Sequence, residues 1–102
     1  MERYCVRIEM TDRPGALGQV ASRIGAVGGD IVAIDILDRV DGRVVDEFVI
    51  DLAGEHLVDL LQAEIHEVDG ALVRRVVWER GADTAADTVT SPTSPTPPTS
   101  PT

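Results

Sequence analysis

Few side chains in this chain could carry catalysis, and they form no catalytic or metal-binding pattern. His56 and His66 are ten residues apart, not the single helical turn of a metal-binding pair. Cys5 is the only cysteine, so the chain forms no internal disulfide and offers no paired thiol for a metal or redox site. Ser22 has no neighbouring histidine to activate it. We therefore expect no catalytic residue, no metal and no cofactor, and a protein that is not an enzyme.

One segment does have residue types suited to binding a small anion. It reads Asp12-Arg13-Pro14-Gly15-Ala16-Leu17, and it joins a strand pattern to a helix pattern. A helix N-terminus presents free N–H groups and the positive end of the helix dipole to a carboxylate. Gly15 has no side chain to block a close approach to the backbone. Asp12 is placed to cap the helix, with Pro14 in its first turn, and Arg13 could hold a carboxylate.

A second segment, Gly28-Gly29-Asp30-Ile31, places a carboxylate where a strand begins. One of the two glycines is expected to end the preceding helix in the left-handed conformation. Asp30 could hold an ammonium group. An α-amino acid carries both charges, so groups of these kinds are suited to a small amino acid or related carboxylate.

Hydrophobic periodicity predicts the elements that position these segments, in the order β-α-β-β-α-β. Alternating or β-branched runs predict strands over residues 3–10, 30–39, 43–52 and 71–78, and Asp41-Gly42 predicts a hairpin between the second and third. One helix follows Asp12 and ends at Gly28-Gly29; the other follows Gly54 and ends at Asp69-Gly70. Their apolar positions are Leu17, Val20, Ile24 and Val27 in the first helix, and Leu57, Leu60, Leu61, Ile65 and Val68 in the second.

This order is typical of the α+β ferredoxin-like sandwich, a four-stranded antiparallel sheet with two helices on one face. The fold serves many functions, so its other uses have to be tested on the residues. RNA-recognition domains need exposed aromatic residues on the sheet, metallochaperones need paired cysteines, and acylphosphatase-like enzymes need an Asn that this chain lacks entirely. A ligand-binding regulatory module remains. The sheet positions expected to point away from the helices hold no aromatic residue: Cys5, Arg7, Glu9, Val45, Glu47 and Val49.

Charge and composition exclude further partners. The chain has 18 acidic and 9 basic residues, every basic one an Arg, for a formal charge of −9. Such a surface repels nucleic acid and anionic lipid. No apolar run reaches the roughly 18 residues of a membrane span, and no signal peptide is recognisable. We expect a cytoplasmic protein with no nucleic-acid or membrane partner.

The two quoted segments resemble the ACT-domain family, over Tyr4 to about Val77. The second segment, together with the Ala33-Ile34-Asp35-Ile36 run that follows it, is also similar to the ACT segment of some bacterial malic enzymes. The resemblance implies the same fold and a non-catalytic, allosteric regulatory domain that binds an amino acid or related small effector where two domains meet. It implies ligand contacts from Asp12 to Leu17 and from Gly29 to Ile31. Many amino-acid-binding members have Asn where this chain has Asp30. The alternative is a dimerisation or docking module on a metabolic enzyme, with no ligand of its own.

The domain organisation follows from composition. Residues 1–80 hold the apolar positions, whereas the last thirteen residues contain only Thr, Ser and Pro. We expect a folded domain over residues 1–80 and a disordered tail over 81–102. A sheet with one bare face and open edges tends to pair, and Val45 and Val49 would leave apolar surface on that face. We therefore expect a homodimer, formed either side by side through strands or through the open faces.

Overall fold

Four strands and two helices lie within residues 1–79, the part of the chain that this computed structural model describes. The predicted order β-α-β-β-α-β is confirmed. The tail expected from residue 81 lies outside the described residues. The strands are β1 (Glu2–Thr11), β2 (Asp30–Val40), β3 (Arg43–Leu52) and β4 (Leu72–Trp78). The helices are α1 (Ala16–Ala26) and α2 (Val58–His66), and a short 3₁₀ turn (Glu55–Leu57) leads into α2.

The strands form one antiparallel sheet in the order β2-β3-β1-β4, so β2 and β4 are its edges. The α+β ferredoxin-like prediction is confirmed. Asp41 and Gly42 both have positive φ, 52° and 77°, which is the conformation of a two-residue hairpin turn that follows the natural twist of the strands.

The core lies between the sheet and the two helices. Every second residue of β1 and of β3 is buried, as the alternating pattern predicts. Leu17 and Leu60, which were also expected in the core, are 43% and 48% exposed. Each lies next to a buried helical residue, about 100° around the helix, so it points away from the sheet. The buried helical positions are Ala16, Val20 and Ile24 in α1, and Leu61 and Ile65 in α2.

The turn before α1 differs from the sequence prediction. Asp12 does not cap the helix: the N-cap residue is Gly15, and no side chain caps it. The Ala16 N–H donates to the Arg13 carbonyl at 3.2 Å, and Gly15 has φ 85° and ψ −11°. These values describe a type II turn with Pro14 and Gly15 at its centre, for which that dipeptide is well suited. The turn places Pro14 ahead of the helix and leaves the Asp12 side chain outside the capping position.

The other end of α1 follows the prediction. The Gly29 N–H donates to the Ile24 carbonyl at 3.0 Å and the Gly28 N–H donates to the Gly25 carbonyl at 2.9 Å. Gly28 has φ 77°, so it is the left-handed residue that ends the helix. Gly29 is required by packing, because a Cβ there would lie 2.7 Å from Ile24 Cγ2.

Candidate functional site

A small crevice lies where the turn before α1 meets the final third of β2. Its volume is about 90 Å³, the space of about three water molecules in the liquid. The floor comes from β1 and β3, one wall from the turn and α1, and the other wall from β2. The crevice is lined by Met10, Thr11, Asp12, Arg13, Ala16, Leu17, Ile36, Arg39, Val44 and Asp46.

Asp46 is the one buried acidic or basic residue among residues 1–79, with 3% of its surface exposed. It lies on the helix-facing side of β3, between Ile8 of β1 and Ile36 of β2 in the sheet. Its Oδ1 atom is buried and accepts no hydrogen bond from any described residue. Burial raises the pKa of this carboxyl, the charge of Arg39 opposes the rise, and the charge of Asp12 adds to it. A buried acceptor without a partner is costly, so a donor from a ligand would gain much here.

Groups of both signs surround Asp46 in the crevice. Asp12 is exposed at the mouth, where its backbone N–H donates to the Gly42 carbonyl at 2.9 Å. Arg13 Nη2 donates to Gln19 Oε1 at 2.8 Å, so its charge lies along the surface of α1. Within residues 1–79, the side chain of Arg39 forms no ion pair.

The first residues of α1, Ala16 and Leu17, also line the crevice. The first hydrogen bond within the helix runs from the Gln19 N–H to the Gly15 carbonyl, at 3.0 Å. The N–H groups of Leu17 and Gly18 precede it and have no acceptor within the helix, and no side chain caps them. Together with Arg39 they are suited to an anion, while Asp46 is suited to a cation. The crevice thus offers groups for both ends of a zwitterion.

The structure separates the two segments that the sequence singled out. Asp12, Arg13, Ala16 and Leu17 line the crevice, whereas Gly29, Asp30 and Ile31 do not. Asp30 lies opposite Asp51, at one end of β3, and Thr11 lies opposite Arg43, at the other end. Eight residues of extended strand separate those ends, which is roughly 25 Å. A single copy of the chain therefore does not bring the two segments together.

Two residues of the crevice, Asp46 and Arg39, are absent from the sequence-predicted site. The sequence does contain a signal for Asp46. It interrupts an otherwise apolar alternation along β3, between Val44 and Phe48, and so falls on the side of the strand that is buried. Arg39 has no such signal, because bulges in β2 change which way its residues point.

The opposite face of the sheet carries several ion pairs. Arg3 pairs with Asp51 at 2.8 Å and Arg7 with Glu47 at 3.1 Å, and Glu9 lies between Arg43 and Arg74. Cys5, on the same face, has its pKa raised to about 12 by burial and by its contact with Glu47, so its thiol stays protonated. This face therefore offers no reactive nucleophile at Cys5.

Neither a metal centre nor a membrane span is apparent from residues 1–79. No three of their His, Cys, Asp and Glu side chains are grouped so as to hold a metal ion. No helix in that range is long and apolar enough to cross a bilayer.

Sequence comparison alone assigns no relative, since no protein-family profile and no curated protein matches the chain. Solved structures do match. The ACT domain of GTP pyrophosphokinase from Chlorobium tepidum superposes with a TM-score of 0.58 at 20% identity, covering 76% of this chain and 99% of that one. This chain has the ACT-domain fold.

Two further structures agree with the ACT-domain fold. An ACT domain protein from Streptococcus pneumoniae has a TM-score of 0.59 at 14% identity, covering 82% of this chain and 96% of that one. A homoserine dehydrogenase from Thiobacillus denitrificans has a TM-score of 0.60 at 19% identity, covering 76% of this chain and 16% of that one. The fold of this chain thus matches nearly the whole length of the two ACT-domain structures and a small part of the dehydrogenase.

Proposed function

We propose that this protein is a non-catalytic regulatory domain of the cytoplasm that binds a small amino acid or related carboxylate at a homodimer interface. The observation that carries the proposal is the crevice at the start of α1. It combines uncapped helix N–H groups, Arg39 and the unpartnered Asp46, and it opens beside an exposed edge strand. The ACT-domain fold supports a regulatory role.

The edge strand β2 is the surface we propose for dimerisation. It is eleven residues long, and all but one of its residues are exposed. A long edge strand with exposed apolar side chains is a template for pairing with another strand. The ion pairs on the open face make that face the less favourable alternative. The exposed apolar side chains of β2 include Val32, Ile34, Ile36, Leu37 and Val40.

Pairing of two β2 strands about a two-fold axis would bring the two sequence-predicted segments together, one from each subunit. An isologous contact runs the two strands antiparallel, so the beginning of one lies beside the end of the other. If the axis passes near Asp35, Asp30 of the partner subunit comes beside Val40, next to the crevice. The effector would then lie between the Asp12–Leu17 turn of one subunit and the Gly29–Ile31 segment of the other.

A regulatory role requires a protein that responds to the bound effector. The fold forms a small part of a homoserine dehydrogenase, an enzyme with a much longer chain. We propose a metabolic enzyme as the partner of this domain, with effector binding at the dimer interface changing how the domain contacts it.

A thermal-shift screen tests the binding proposal. The full chain is heated with each of the twenty amino acids and with common metabolic acids, and the melting temperature is recorded. A ligand that binds only the native state raises that temperature, by an amount that grows with its concentration. Stabilisation by one or a few related compounds supports the proposal. No stabilisation by any compound, in a protein that is a dimer, supports a docking module without a ligand.

A further inference from the structure

We propose that Asp46 holds the ammonium group of the effector, so that the site takes small α-amino acids and rejects the corresponding keto, hydroxy and simple carboxylic acids. The inference rests on the proposed function and names the substrate class of the same crevice. It moves the cation-binding role from Asp30, to which the sequence alone assigned it, to a residue in the floor of the crevice.

The first support is the position of Asp46 in the sheet. A carboxylate stands where the alternation of β3 requires an apolar side chain, between the fully buried Ile8 and the exposed Ile36. Its Oδ1 atom is buried with no donor among residues 1–79. The Asp46 residue lines the crevice. An ammonium group brings three N–H donors and a positive charge, which satisfy such an oxygen. A neutral hydroxyl brings one donor and no charge.

The second support is that the crevice separates the two charges that an amino acid carries. Arg39 and the uncapped N–H groups of Leu17 and Gly18 favour the carboxylate, while Asp46 favours the amine. In contrast, Asp30 is exposed, and it can contact an effector in this crevice only from a second subunit.

The third support is size. A crevice of about 90 Å³ holds about as much as three water molecules, well below the several hundred Å³ of pockets for larger ligands. Glycine, alanine and serine come nearest to this limit among the amino acids, because their side chains have no more than two heavy atoms. A partner subunit would close the mouth without enlarging the floor around Asp46.

The experiment is calorimetric titration of the full chain with glycine, L-alanine and L-serine, and with acetate, propionate and ethylamine. Four proteins are compared: the wild type, Asp46→Asn, Asp30→Asn and Glu47→Gln. Glu47 is the matched control, because it is the next residue of β3 but pairs with Arg7 on the opposite face of the sheet. The melting temperature of each unliganded variant shows that it is folded.

We expect at least one amino acid to bind the wild type and Glu47→Gln equally, and to bind Asp46→Asn about 10-fold or more weakly. Asp30→Asn should lose less than about 3-fold, because a rim contact shared with water is worth little. Acetate and propionate should bind far more weakly than the matching amino acid.

Three results separate the inference from the function on which it rests. Unchanged amino-acid affinity in Asp46→Asn, or a larger loss in Asp30→Asn, overturns the role of Asp46 and leaves the proposed function standing. Binding of ethylamine alone, lost in Asp46→Asn, supports the cation site but overturns an effector with a carboxylate. Absence of binding by all six compounds overturns the inference for small amino acids, and the wider screen then decides the proposed function.

Discussion

Asp12 and Asp46 line the same crevice from opposite sides, Asp12 from the turn before α1 and Asp46 from the buried face of β3. Burial raises the pKa of the Asp46 carboxyl, Arg39 opposes the rise, and the charge of Asp12 adds to it. In the unliganded protein the crevice therefore disfavours the ionised form of Asp46, which costs stability at any pH where the carboxyl is ionised. Binding a cation there would recover that cost.

This cost predicts a pH-dependent effect of Asp46→Asn on stability. The pKa of Asp46 is higher in the folded than in the unfolded chain, where it is near 3.8. The folded state then binds more protons, so its stability falls as pH rises from 3.8 through the folded pKa. We expect Asp46→Asn to melt above the wild type at neutral pH and to lose that advantage below pH 3.8.

The measurement is a series of thermal melts of both proteins across acid and neutral pH. Asp12→Asn is the comparison variant, because Asp12 is exposed in the same crevice and its charge adds to the raised pKa of Asp46. The argument is contradicted if Asp46→Asn melts below the wild type at neutral pH and the difference in melting temperature widens as the pH rises.

Gly29→Ala should destabilise the fold by about 2 kcal/mol, because the new methyl group cannot be accommodated without movement. Its Cβ would lie 2.7 Å from Ile24 Cγ2 and 2.9 Å from the Ile24 carbonyl oxygen. Gly25→Ala, in the last turn of α1, is the control, since its Cβ meets nothing within 4 Å. It should raise stability by up to about 1 kcal/mol, the usual gain of Ala over Gly in a helix. Urea unfolding of both variants measures these two changes in the free energy of unfolding. Equal stability of the two variants would refute the packing argument.

Ile36→Arg should convert the dimer into a monomer, because it places a charge in the proposed contact between two β2 strands. Ile36 is 60% exposed, so the change should cost the monomer less than about 0.5 kcal/mol. Val49→Arg is the control on the open face of β3, opposite Cys5, and should leave the dimer intact. Light scattering over a range of concentrations measures the mass of each. A monomeric Val49→Arg together with a dimeric Ile36→Arg would place the dimer contact on the open face of the sheet.

Asp51→Asn should cost about 0.5 kcal/mol at neutral pH, the scale of a partly exposed ion pair. Arg3 holds this carboxylate with two hydrogen bonds, Nε to Oδ1 at 2.8 Å and Nη2 to Oδ2 at 3.1 Å. These bonds lower the pKa of Asp51 below its ordinary 3.8, so their contribution is present above pH 3.8 and disappears as pH falls through the folded value. Urea titrations of both proteins at neutral and at strongly acidic pH test this. A cost that persists in strong acid would mean that the ion pair is not its source.

Local patterns in the sequence were sufficient for the order of the elements and for the end of α1, whereas α2 ends at His66, short of the predicted Asp69-Gly70. The alternation around Tyr4 and Ile8, the Asp41-Gly42 turn and the left-handed Gly28 depend on residues within a few positions of one another. Such features follow from short-range sterics and from the period of the apolar residues, both of which can be read along the chain.

The candidate site depended on tertiary structure. Asp46 contributes a buried oxygen because β1, β2 and α1 cover that point of β3, and those elements are distant in sequence. The separation of Asp30 from the Asp12–Leu17 turn likewise follows from α1, which carries the chain from one end of the sheet to the other. A pattern along the chain gives the face on which a residue lies. The packing of the elements decides which other residues lie beside it. Packing also decides whether a buried oxygen has a hydrogen-bond donor.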